Sequence, residues 1–79
     1  MTRVRNQLRR LRFLHGEMTQ AELARRVGVS RQTIVAIEKA KYSPTLELAF
    51  QLAAVFESTV SDVFQYLSDN TEPTTPKED

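Results

Sequence analysis

The chain has 79 residues, no cysteine and one histidine, His15, with eleven basic residues against ten acidic ones. That length fits one domain, and the missing cysteines exclude a disulfide scaffold, a thiolate metal site and a cysteine nucleophile. No apolar run approaches the roughly 18 residues of a membrane span and no signal-peptide core is present, so a cytoplasmic binding module needing neither metal nor cofactor is expected.

A first helix is predicted from about Arg3 to Leu14, where Val4, Leu8, Leu11 and Leu14 form one apolar stripe and arginines occupy the other positions. An acid-free, arginine-rich amphipathic N-terminus is also compatible with a mitochondrial presequence, but a core this small needs the helix. Thr19 and Glu22 make a capping box, with Met18 and Leu23 as its hydrophobic staple, and they start a second helix over Gln20 to Val27. Gly28 ends it with a left-handed residue. Ser30 caps a third helix from Arg31 to about Lys39, with Val29 and Ile34 as the next staple. The three-residue connection Gly28-Val29-Ser30 is that of a helix-turn-helix. A fourth helix follows Thr45, with Leu48, Leu52, Val55 and Phe56 on its inner side. A fifth begins at Thr59, where Val60, Val63, Phe64 and Leu67 close the domain.

The expected class is therefore all-α, five helices and no sheet, with residues 1–67 as the folded domain and 68–79 as a disordered acidic tail. The tail reads SDNTEPTTPKED, with two prolines and no large apolar residue.

The small net charge conceals a division. Residues 1–41 carry ten bases and three acids, a balance of +7, whereas residues 42–79 carry one base and seven acids, a balance of −6. Such a split suits a polyanion on one side, although an arginine-rich surface also serves solubility. On the third helix Ile34 and Ile37 define the buried side, which turns Gln32, Val35, Ala36 and Lys39 outward with Arg31 and Thr33 on the flanks. Glutamine and arginine match the hydrogen-bonding edges of adenine and guanine, and small Ala36 and apolar Val35 permit close approach to bases. A solvated helix face would look the same in isolation. The N-terminus of the second helix at Thr19-Gln20 offers amide donors to a phosphate. Arg9, Arg10, Arg12, Arg25, Arg26, Lys39 and Lys41 add cations, and Tyr42 and Ser43 add neutral donors.

The runs Met18–Ala24, Val27–Ile34, Ile37–Lys39 and Tyr42–Ala49, with the ending Asp62-Val63-Phe64, resemble the Cro/CI-type, or XRE, helix-turn-helix family in its short stand-alone bacterial form. The resemblance covers about residues 4–67. It implies a compact five-helix lambda-repressor-like domain, a homodimeric transcriptional regulator, most simply a repressor, and a third helix in the major groove of an inverted-repeat operator. Base contacts are then expected from Arg31, Gln32, Val35 and Ala36. Backbone or groove-edge contacts are expected from Thr19, Gln20, Arg25, Ser30, Thr33, Lys39, Lys41 and Tyr42. Gln20 matches the family's phosphate-binding glutamine. Glu38 matches a structural acid, to be paired with Arg10 or Arg12. The resemblance also makes the fifth helix, with Phe64, Tyr66 and Leu67, a candidate dimer face, although spacing alone would as readily bury Phe64 and Leu67.

Two departures stand out. Ala40 occupies a position where the family usually has glycine, so either a left-handed alanine or a slightly longer third helix is expected. The stretch Phe13–Glu17 is also one residue longer than usual. Two other classes stay open: a protein-interaction module such as an antitoxin or regulatory subunit, for which Phe50 and Tyr66 are exposed candidates, and an enzyme. For the latter the sequence offers only His15 near Glu17, with no phosphate loop, metal spacing or nucleophile elbow. No small-molecule ligand and no membrane partner are expected.

Overall fold

The computed structural model describes residues 2–67; the expected acidic tail lies outside them. In chain order the elements are β1 (Val4–Asn6), α1 (Leu8–Leu14), α2 (Gln20–Val27), α3 (Arg31–Glu38), α4 (Leu46–Val55), α5 (Val60–Val63) and β2 (Phe64–Tyr66). Four helix starts are fixed by the same local device. Thr19, Ser30, Thr45 and Thr59 accept the backbone N–H of Glu22, Thr33, Leu48 and Asp62 respectively, at 3.0 to 3.2 Å. The capping box at Thr19 is only half built, because the Glu22 carboxylate bonds Arg26 and Arg25 and does not return to the cap.

Two expectations are corrected at the chain ends. The first helix does not begin at Arg3; residues 4–6 form a strand that pairs antiparallel with β2, Val4 opposite Tyr66 and Asn6 opposite Phe64. The fold is thus mostly helical with a small sheet, and not strictly all-α. Asn6 causes the break: its Oδ1 accepts the Leu8 N–H at 3.1 Å, while its Nδ2 donates to the Ile37 carbonyl at 2.8 Å. The side chain thus ties the start of α1 to the end of α3. At the other end α5 has only four residues, after which Phe64 turns extended. Leu67 therefore leaves the core and is exposed, as is Leu14 at the end of α1.

The core gathers Leu8 from α1, Leu23, Ala24 and Val27 from α2, and Ile34 and Ile37 from α3. Leu48, Leu52 and Ala53 from α4, Phe56 and Val63 complete it. Ile34 and Ile37 are 0% and 1% exposed, which fixes the rotation of α3 and sends its other face to solvent.

That helix ends at Glu38 with Ala40 left-handed at φ 58°. The Lys41 N–H bonds the Ala36 carbonyl at 2.9 Å and the Ala40 N–H bonds that of Ile37 at 3.0 Å, the closure of a Schellman motif. An L-residue there carries a steric penalty that glycine lacks. Ala40→Gly is therefore expected to stabilise the domain by about 0.5–1 kcal/mol, read as a rise of a few degrees in thermal midpoint.

Candidate nucleic-acid interface

The polar face of α3 meets the N-terminus of α2 and the outer side of α1 around an open cleft of about 600 Å³. It is lined by Arg9, Arg12, Thr19, Gln20, Ala21, Arg31, Glu38 and Lys39. Four bases and one acid converge there, and the acid is neutralised internally. Arg12 donates Nε to Glu38 Oε2 at 2.7 Å and an Nη to Oε1 at 3.0 Å, a bidentate pair whose side chains are 14% and 8% exposed. The second Nη donates to the Met18 carbonyl at 2.8 Å. Of the two arginines expected to partner Glu38, Arg12 is the one used. It is thereby occupied in joining α1 to α3, leaving Arg9, Arg31 and Lys39 as the cleft's exposed cations.

The expected base-facing residues share one surface. Arg31 and Gln32 are exposed, and Val35 and Ala36 are half-buried beside them. Arg31 is not a loose side chain, because it donates to Gln20 Oε1 at 3.2 Å, while Gln20 Nε2 donates to Glu38 Oε1 at 3.1 Å. Thr33 and Tyr42 sit on the opposite flank of α3, together lining a groove with Val29, Thr45 and Glu47. Ser30 Oγ lies 3.1 Å from Thr33 Oγ1. Lys39 and Lys41 are both exposed at the helix's C-terminal end. Arg25 lies one turn beyond Ala21 on the same row of α2, and both it and Arg26 bond Glu22. The hydrogen bond from Arg26, with the charge of Arg25 beside it, holds the Glu22 carboxyl below its ordinary range.

The sequence marks Arg9 only as one of the general cations; its place at the cleft follows from its position one turn before Arg12 on α1. Of the dimer candidates, Phe64 and Tyr66 lie on β2 and Leu67 just after it, not on a fifth helix. Phe64 packs against the core, while Tyr66 and Leu67 are 68% and 42% exposed. No helix among the described residues is long and apolar enough to cross a membrane.

A helix-turn-helix family model matches residues 8–63, which takes in every helix described above. The chain is 50% identical over 66 residues to an uncharacterized HTH-type transcriptional regulator of Methanocaldococcus jannaschii, covering 84% of this chain and 98% of that protein. It is 49% identical over 61 residues to one of Archaeoglobus fulgidus, covering 77% and 86%. A third relative, from Bacillus subtilis, is 39% identical over 67 residues, covering 85% and 100%.

Proposed function

Because the chain belongs to the XRE-type helix-turn-helix family, we propose that it is a homodimeric transcriptional regulator that binds an inverted-repeat operator in the cytoplasm, with α3 in the major groove. The observation that carries this reading is the exposed face Arg31-Gln32-Val35-Ala36, flanked by the cationic cleft on one side and Thr33 and Tyr42 on the other. Arg31 and Gln32 read base edges, while Val35 and Ala36 allow close approach and apolar contact with a thymine methyl. Thr19, Gln20, Ser30, Thr33, Lys39, Lys41 and Tyr42 contact backbone or groove edge, joined by Arg9 and Arg25. Repression by occupancy of the operator is the simplest regulatory outcome. Exposed Tyr66 and Leu67 support a dimer contact through β2. A twofold would set two copies of α3 one turn of B-DNA apart, roughly 34 Å.

Gel-shift titration over a salt series tests the backbone role. Arg25→Ala is expected to weaken binding to all duplexes alike and to reduce the salt slope by about one. A change confined to one sequence would assign Arg25 to base readout.

A second reading, a protein-interaction module, is favoured by the exposure of Leu46 and Phe50 one turn apart on α4, at 70% and 59%. Sizing with and without duplex DNA separates the two. The regulator forms a protein dimer that shifts with DNA; the module forms a stable complex with another protein and binds DNA without salt dependence.

A further inference from the structure

We propose that Asn6 is a positioning residue for operator spacing: with Thr2 it fastens β1 across the end of α3, so that the dimer ribbon and α3 turn as one body. This deepens the regulator reading above and rests on both its parts, α3 in the major groove and a dimer contact through β2.

The two sides of β1 have different partners. Along one, its backbone pairs with β2. The Leu67 N–H donates to the Arg3 carbonyl at 2.8 Å and the Gln7 N–H to that of Val63 at 2.9 Å, on either side of the Arg5–Gln65 pair. An antiparallel ladder uses alternate residues, so the backbone of the even ones faces the other way. There lies the end of α3. The Thr2 N–H donates to the Ala40 carbonyl at 2.9 Å, and Asn6 Nδ2 donates to that of Ile37 at 2.8 Å. The Thr2 and Ser43 hydroxyls share a further bond at 2.5 Å. The Asn6 amide cannot be turned over. Its other partner, 3.1 Å away, is the Leu8 N–H, a donor that only the oxygen can accept, which commits the nitrogen to Ile37.

Anchors at both Thr2 and Asn6 stop β1 from pivoting against α3, whereas one anchor alone leaves a hinge. Because β1 is bonded to both β2 and α3, a dimer formed through β2 passes its twofold to the DNA by this route. Adding or removing one base pair moves a half-site by about 3.4 Å and turns it by roughly 35°. A dimer whose two copies of α3 are locked to the ribbon fits one such spacing, and a hinged dimer tolerates its neighbours. Contacts inside each half-site are the same in both cases. Asn6 therefore changes the ratio between spacings and not the preference among bases.

The test uses the full chain and the half-site that site selection recovers, set at the selected spacing or one base pair nearer or farther. Asn6→Asp keeps the oxygen that starts α1 but has no donor for Ile37. Asn6→Ser keeps a capping hydroxyl too short to reach it. Both are expected to fold, to stay dimeric by sizing and to keep wild-type base preferences within a half-site. Both should reduce discrimination of the selected spacing against its neighbours about three- to ten-fold, the worth of one hydrogen bond. A merely structural role would weaken all spacings by one common factor, and that result overturns the proposal. An arm without DNA or substitution reads the tie in the wild type by NMR, where the Asn6 Nδ2 proton facing Ile37 should exchange slowly with solvent. Exchange as fast as that of a solvated asparagine overturns the proposal too. Two results fall on the underlying reading and take the proposal with it. A dimer that survives Tyr66→Lys removes the contact through β2, and a wild-type protein with no sequence preference removes readout by α3.

Discussion

Arg12→Ala is expected to lower the stability of the domain by about 3 kcal/mol. The side chain is 14% exposed and its partner Glu38 is 8% exposed, so truncation leaves a carboxylate largely out of water with its bidentate donor gone. It also frees the Met18 carbonyl, which Arg12 satisfies at 2.8 Å between α1 and α2. Small domains have roughly 5 kcal/mol of stability in total, so the loss consumes most of it. In thermal denaturation followed by circular dichroism, the midpoint should fall by roughly 10–20 °C. Arg9→Ala is the matched control, because Arg9 lies on the same helix but is exposed. It should move stability by less than about 0.5 kcal/mol while weakening DNA binding. Equal shifts for the two variants would mean that the Arg12–Glu38 pair does not hold α1 to α3.

Gln32→Ala is expected to have the opposite profile, with stability unchanged and cognate binding weakened by about 1–3 kcal/mol. Gln32 is exposed on α3, and the burial of Ile34 two residues later turns it away from the core. Its amide can make two hydrogen bonds to an adenine edge, so the loss should concentrate at one base pair and relax preference there. Titration of a duplex panel with every substitution at each position reads this directly. A uniform loss across the panel would place Gln32 on the backbone and not on a base.

The parts of this architecture that depend on neighbouring residues were legible in the sequence. Thr19, Ser30, Thr45 and Thr59 announce helix starts because a cap acts within three residues, and all four act as caps. Gly28 and the Ile34–Ile37 spacing fixed the turn and the rotation of α3 in the same way. The ribbon of Val4–Asn6 with Phe64–Tyr66 was not legible, since three-residue strands show no alternation and their pairing spans most of the domain. Asn6 held the one local clue, a short polar side chain two residues before the observed helix start. At the site, Glu38 was readable as a structural acid but not its choice of Arg12 over Arg10. That choice depends on which flank of α1 faces the cleft: Arg12, one turn after buried Leu8, lines it with Arg9, and Arg10 does not. The Gln20–Arg31 tether lay beyond sequence reasoning because it follows from the orientation of one amide.

The central claim is that α3 reads DNA sequence, and site selection from randomised duplex DNA with the purified full chain tests it most directly. The expected result is a single enriched inverted repeat with half-site centres about 10 base pairs apart. Affinity for it should fall steeply with salt and should drop at one base pair in Gln32→Ala. Recovery of no enriched sequence, with whatever binding remains insensitive to salt, would contradict the account.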